Sequence, residues 1–160
     1  MSQIPLFRVR AASADDADAL SGLIVGAFSS YDVRIDPPSG ALRETSVSVR
    51  AKVADRGGVI AETDGRMIGC ILFSADAPDA LYIGRLAVDL AWRRRGVARA
   101  LMAHAEAEAR RRGLARMSLK VRVPLVGNQA LFKSCGFVEV SREAHAGYIE
   151  PTSIRMEKRL

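Results

Sequence analysis

The 160-residue chain is poor in the residues that build redox, metal and stacking sites: two cysteines, two histidines, one tryptophan and only 6% aromatics. Cys70 and Cys135 have no metal-type spacing, which speaks against a zinc site or a disulfide framework. Both are read as reduced thiols, and no metal is expected. With few aromatics there is no stacked platform for nucleic acid, and no docking motif stands in for one. No apolar run approaches the roughly 20 residues that span a bilayer, and the N-terminus lacks the basic, apolar, small order of a signal peptide. A cytoplasmic protein with neither a membrane nor a nucleic-acid partner is expected. Repeats, low-complexity tracts and long linkers are also missing, so residues 1–160 read as one domain.

What is present is charge, unevenly placed. The net charge is +6. From Arg93 to Arg116 there are eight arginines against Glu106 and Glu108, an excess equal to that of the whole chain. A local basic cluster fits a polyanionic ligand such as a phosphorylated cofactor; nucleic acid or a solvated basic face would leave the same mark.

The elements are short and alternate. Phe7 to Arg10 reads as a strand. Ser13 with Asp16 forms a capping-box pattern, after which Leu20, Leu23, Ile24, Ala27 and Phe28 recur at helical spacing. Leu42, Val49 and Val53 predict a second helix between Pro37-Pro38 and Gly57-Gly58. Asp64-Gly65 marks a hairpin between strands at Val59 to Glu62 and Met67 to Phe73. In Leu81 to Val88 the apolar phase slips by one residue, from Leu81 and Ile83 to Leu86 and Val88, which predicts a β-bulge at Gly84-Arg85. Gly96 opens a helix with Val97, Leu101, Ala105 and Ala109 on its buried stripe, and Gly113 ends it. An alternating strand follows from Met117 to Val123, then a helix near Val126 to Cys135 and strands at Phe137 to Val140 and Ile154 to Glu157. The order is β-α-α-β-β-β-α-β-α-β-β, a mixed α/β domain with a bulged central strand.

Chemistry concentrates at Leu86-Ala87-Val88-Asp89-Leu90-Ala91-Trp92-Arg93-Arg94-Arg95-Gly96-Val97-Ala98. A strand runs into a basic loop, and the loop opens a helix whose first four amides lack internal partners and carry about half a positive charge. Such a turn suits a diphosphate. Here the chain resembles the GNAT superfamily of acyl-CoA-dependent N-acetyltransferases, whose signature is Arg or Gln, two residues, Gly, one residue, then Gly or Ala; Arg93, Gly96 and Ala98 match it. A second match lies at Asn128-Gln129-Ala130-Leu131-Phe132-Lys133-Ser134-Cys135-Gly136-Phe137, similar to the family's Asn-Ala-Leu-Tyr-Gly-Phe segment with Asn and Ala closer together. The resemblance implies the single-domain GNAT fold and acetyl-CoA as acyl donor. Leu86, Ala87 and Val88 would pair with the pantetheine arm. The amides of Arg94, Arg95, Gly96, Val97, Ala98 and Arg99 would hold the pyrophosphate. Asn128 would contact the pantetheine or phosphate region, and Lys133 would approach the nucleotide.

Transfer to an amine requires a neutral nucleophile, yet an alkylamine has a pKa near 10.4, so deprotonating it near neutrality costs about 4 kcal/mol. A base is expected, directly or through water. The resemblance also locates two departures: Phe132 stands where many relatives carry a proton-donating tyrosine, and Tyr82 where some carry a glutamate base. Tyr148, His145, Tyr82 and Tyr31 remain as candidates, Tyr148 and His145 on the connection between the last two strands. The segment from Tyr31 to Thr45 is expected over the acceptor, with Arg34, Asp36, Arg43 and Glu44 able either to orient a zwitterion or to sit on the surface. The expected acceptor is a small-molecule primary amine; a protein N-terminus or lysine, or a non-catalytic acyl-CoA sensor, are the alternatives. Dimers are common in the family.

Overall fold

A computed structural model describes residues 6–160. Seven strands form one sheet in the order β1-β2-β3-β4-β5-β7-β6. In chain order these are β1 (Arg8–Ala11), β2 (Gly58–Thr63), β3 (Arg66–Ala75), β4 (Ala80–Val88), β5 (Arg116–Arg122), β6 (Val138–Glu143) and β7 (Ser153–Arg159). The helices are α1 (Ala17–Ser29), α2 (Ser46–Asp55), α3 (Val97–Arg111) and α4 (Val126–Ser134). The mixed α/β class and the element order expected from the sequence both hold. Every neighbouring pair is antiparallel except β4 with β5, which α3 connects.

Local signals account for most boundaries. The Ser13 amide donates to Asp16 Oδ2 at 2.8 Å, and Asp16 is also gripped by Arg10 at 2.8 Å, tying the start of α1 to β1. That guanidinium holds the Asp16 carboxyl below its usual range. The second helix is shorter than the expected run from Leu42. Gly40–Arg43 form a separate 3-10 turn, and Thr45 then caps α2 by accepting from the Ser48 amide at 3.2 Å. The β6 strand begins one residue later than expected and runs on to Glu143.

Two apolar layers flank the sheet. Leu20, Ile24, Val49, Ile60, Cys70 and Leu72 join α1 and α2 to one face; Ile71, Phe73, Leu101, Met102, Leu119 and Met156 join α3 to the other. Gly69 permits close seating of α3, because a Cβ there would lie 2.8 Å from Val97 Cγ1 and 3.0 Å from Leu101 Cδ1. Gly69→Ala is therefore expected to lower unfolding free energy by about 1–3 kcal/mol in denaturant titrations, the usual cost of overpacking.

Candidate active site

The centre of the sheet is incomplete by construction. Cys70 pairs with Ala87 and Leu72 with Gly84, so Ile71 alone faces two residues, Arg85 and Leu86. This is the bulge the phase slip predicts, and Arg85 adopts φ 53° to accommodate it. On its other side β4 pairs with β5 over only three rungs, Ala80 to Tyr82 with Arg116 to Ser118. Beyond Tyr82 the strands part, leaving the backbone of Ile83 to Val88 without a strand partner on that side. An extended amide chain can use those groups as a strand would.

A cleft of about 450 Å³ occupies the gap. Leu86, Ala87 and Val88 form one wall, and Gly96, Val97, Ala98 and Arg99 close its end. The chain enters α3 through two left-handed residues, Arg94 (φ 60°) and Gly96 (φ 83°), and no side chain caps the helix. A Cβ on Gly96 would meet no protein atom within 4 Å. The glycine is thus demanded by backbone conformation, and the space over it is open to a ligand. Bare amides, the helix dipole and open space together fit a diphosphate.

On the α1–α2 side lies a second cavity, of about 350 Å³. Tyr82, Arg85, Lys120, Arg122 and His145 line it, together with Lys52 and Phe132. The two cavities share Leu86 and Asn128. The connection between β6 and β7 folds over the segment following α1, where Tyr148 Oη donates to Asp36 Oδ1 at 2.6 Å; from the end of β5, Arg122 donates to the Pro38 carbonyl of the same segment at 3.4 Å.

A profile of the acetyltransferase (GNAT) family matches residues 28–137, well over half of the chain. The chain belongs to the GNAT acetyltransferase family. No curated protein gives a sequence match. Among solved structures, this GNAT domain is similar to the PaiA N-acetyltransferase from Thermoplasma acidophilum in complex with coenzyme A, at 17% identity over 100% of both chains with a TM-score of 0.77. It is similar also to the ribosomal-protein-S18-alanine N-acetyltransferase from Escherichia coli, at 20% identity over 96% of this chain and 93% of that one, TM-score 0.75. Ard1 from Thermoplasma volcanium matches at 18% identity over 97% and 98%, TM-score 0.78. At these identities the likeness is one of fold.

Within this GNAT domain the residues singled out from sequence sort into distinct places. Arg93 borders the cleft, yet its hydrogen bonds turn inward, Nη2 to Ser30 Oγ at 2.9 Å and Nε to the Val88 carbonyl at 3.3 Å. It fastens the end of α1 to the loop. Arg95 stacks on Trp92 at 4.9 Å, and neither it nor the exposed Lys133 lines either cavity. Phe132 is buried against Phe137 and borders the second cavity instead of the cleft. Tyr31, expected over the acceptor, lines the cleft, where its hydroxyl accepts from Asn128 Nδ2 at 3.1 Å. Arg34 projects outward at 88% exposure. Glu44 is buried behind the second cavity, held by Lys52 Nζ at 2.6 Å. Tyr148 lines neither cavity, and its bond to Asp36 raises its pKa.

The basic stretch divides as well. Arg110, Arg111 and Arg112 pair with Glu106 and Glu108 at the far end of α3, about 22 Å from its start at 1.5 Å per residue. Only the N-terminal arginines adjoin the cleft.

Sequence reasoning passed over Lys52, Arg85, Lys120 and Arg122. The alternation of Lys120 and Arg122 with Leu119 and Val121 reads as a solvated strand face; here that face lines a cavity.

Gly96→Glu places a carboxylate over the bare amides. It is expected to abolish CoA binding in calorimetric titration while the circular dichroism spectrum keeps its folded form; unchanged affinity would remove the diphosphate role from this turn.

Proposed function

We propose that the protein transfers the acetyl group of acetyl-CoA to the primary amine of a small-molecule acceptor by direct attack on the thioester. The observation that carries this reading is that a cleft suited to CoA and a separate cavity lined in part by polar side chains meet at Leu86 and Asn128, which border both.

In this reading the amides of Val97, Ala98 and Arg99 bind the pyrophosphate, with Arg94 and Arg99 flanking it. Backbone groups of Leu86 to Val88 on the open edge of β4 orient the pantetheine arm, and Asn128, tied to Tyr31, guides it across the cleft. When bound, acetyl-CoA supplies an acyl group already activated as a thioester. A backbone amide near Val88 polarises its carbonyl.

His145 is placed to move the amine's proton. Its backbone amide donates to Thr152 Oγ1 at 3.0 Å, and its Nδ1 lies against the same oxygen. The threonine hydroxyl donates in turn to the Glu143 carbonyl at 3.3 Å. With the hydroxyl so engaged, the ring proton is taken to sit on Nδ1, leaving Nε2 with its lone pair. Burial, with the charges of Arg122 and Lys120, lowers the imidazole pKa and keeps the ring neutral. Tyr82 supplies the opposite function. Burial raises its pKa against the opposing charge of Lys120, so the hydroxyl stays protonated and can donate to the departing thiolate, a role Phe132 cannot fill.

Direct transfer is favoured over an acyl-cysteine route. Cys70 is fully buried, desolvation pushes its thiol up to about 12, and Cys135 lines neither the cleft nor the acceptor cavity. The modest volume of the second cavity, about 350 Å³, favours a small acceptor over a polypeptide.

Release of CoA thiol on mixing acetyl-CoA with candidate amines tests the reading, and saturable CoA binding with no release would leave a sensor. Tyr82→Phe should lower kcat by about 10²-fold with the KM for acetyl-CoA unchanged. In wild type, kcat should fall as acidification protonates His145, along a limb centred below the ordinary imidazole value of about 6.5. His145→Gln should lower kcat and erase that limb; a limb that persists would discharge His145 from the role.

A further inference from the structure

The walls of the acceptor cavity are cationic. Lys52 enters from α2, Arg85 from the bulge, and Lys120 and Arg122 from one face of β5. Two carboxylates answer these four cations, and both stand outside the lining. Glu44 Oε1 takes Lys52 at 2.6 Å and faces Arg85 at 3.9 Å, so one carboxylate serves two cations. Glu143 pairs with Lys120 at 2.8 Å near the surface, with both side chains about half exposed. Arg122 has no carboxylate within ion-pair distance among the described residues. Asp36, whose charge reaches it, is bonded to Tyr148 and faces Arg34 at 3.8 Å.

Two other arginines of the sheet are neutralised. Arg116 meets Asp79 and Glu157, and Arg155 meets Asp76 and Glu157. The cavity thus gathers more cations than carboxylates. A guanidinium with no carboxylate partner, partly desolvated, is suited to grip a carboxylate through two parallel hydrogen bonds. The same charges repel a simple ammonium or a polyamine, and they displace an amine's proton equilibrium toward the free base. Phe28, Leu72 and Leu125 supply an apolar portion of the lining.

We propose that the acceptor is an amino-acid-like zwitterion with an apolar side chain, its carboxylate received by Arg122 with Lys120 and its amine directed toward Leu86 and Asn128. This rests on the acetyl-transfer reading and names its substrate class. Arg122 is then the principal specificity determinant, and Lys120 assists once Glu143 swings toward solvent.

Matched pairs test it: leucine against isoamylamine, phenylalanine against phenethylamine, with spermidine and an amidated peptide as further competitors. Wild-type protein should favour each amino acid over its decarboxylated partner by about 10²-fold in kcat/KM. Arg122→Met should collapse that ratio toward one, through a raised KM for the amino acid that the decarboxylated amine does not share. Arg122→Lys, which keeps the charge, should retain part of the preference and covers the case in which Arg122→Met fails to fold. Equal or better turnover of the decarboxylated amines, spermidine or the peptide would overturn the proposal and leave acetyl transfer standing. Transfer to none of them, with leucine still binding the CoA-loaded protein in an Arg122-dependent manner, would remove the transfer reading and leave the carboxylate site. No binding and no transfer for any amino acid overturns the proposal outright.

Discussion

The bulge at Arg85-Leu86 controls the site because it changes which direction β4 can offer its hydrogen bonds. A regular strand would continue its ladder with β5 and seal the sheet. Instead pairing stops at Tyr82, and a stretch of backbone is left open in the interior of the fold. Unpaired amides and carbonyls inside a protein are costly unless something completes them. The opening is affordable here because it leads to solvent-filled clefts. The crossover through α3 then brings an uncapped helix start to the end of the same opening, so one local irregularity aligns a linear array of donors from the helix to the strand.

The same irregularity divides the electrostatics of the site. Arginines at the start of α3 lie on the α3 side of the gap, while Lys52, Arg85, Lys120 and Arg122 face the α1–α2 side. Burial is strongly apolar on both faces of the sheet, so these cations are grouped where the layers separate. At an effective dielectric constant of about 20, one unit charge 6 Å from an ammonium disfavours it by about 3 kcal/mol. That is comparable to the cost of freeing an alkylamine's lone pair near neutrality, so for an amine held there the cavity would contribute to activation before any base acts.

Much of this arrangement was legible in the residues. The slip between Ile83 and Leu86 located the bulge, Gly96 located the helix start, and Asp64-Gly65 located the hairpin that positions β3. These signals are local, so sequence carries them directly. What stayed hidden depends on packing between distant segments. Arg93 reads as a ligand from its motif, but its hydrogen bonds to Ser30 and Ala27 depend on where α1 ends. Alternation along β5 separates polar from apolar faces without saying whether the polar face meets bulk water or a cavity. Likewise Tyr148 sits on the expected connection, while its hydrogen bond to Asp36, 112 positions away, could not be read from the sequence.

The uncapped start of α3 has a thermodynamic side. A helix that lacks its own cap forgoes about 1 kcal/mol of local stabilisation. An anion bound there would restore it, and the folded population would then be linked to the free concentration of cofactor. At about 100 times the dissociation constant this linkage contributes about 2.7 kcal/mol, a large fraction of the margin that keeps a small domain folded. Cellular lifetime of the chain would then track the supply of its own acyl donor.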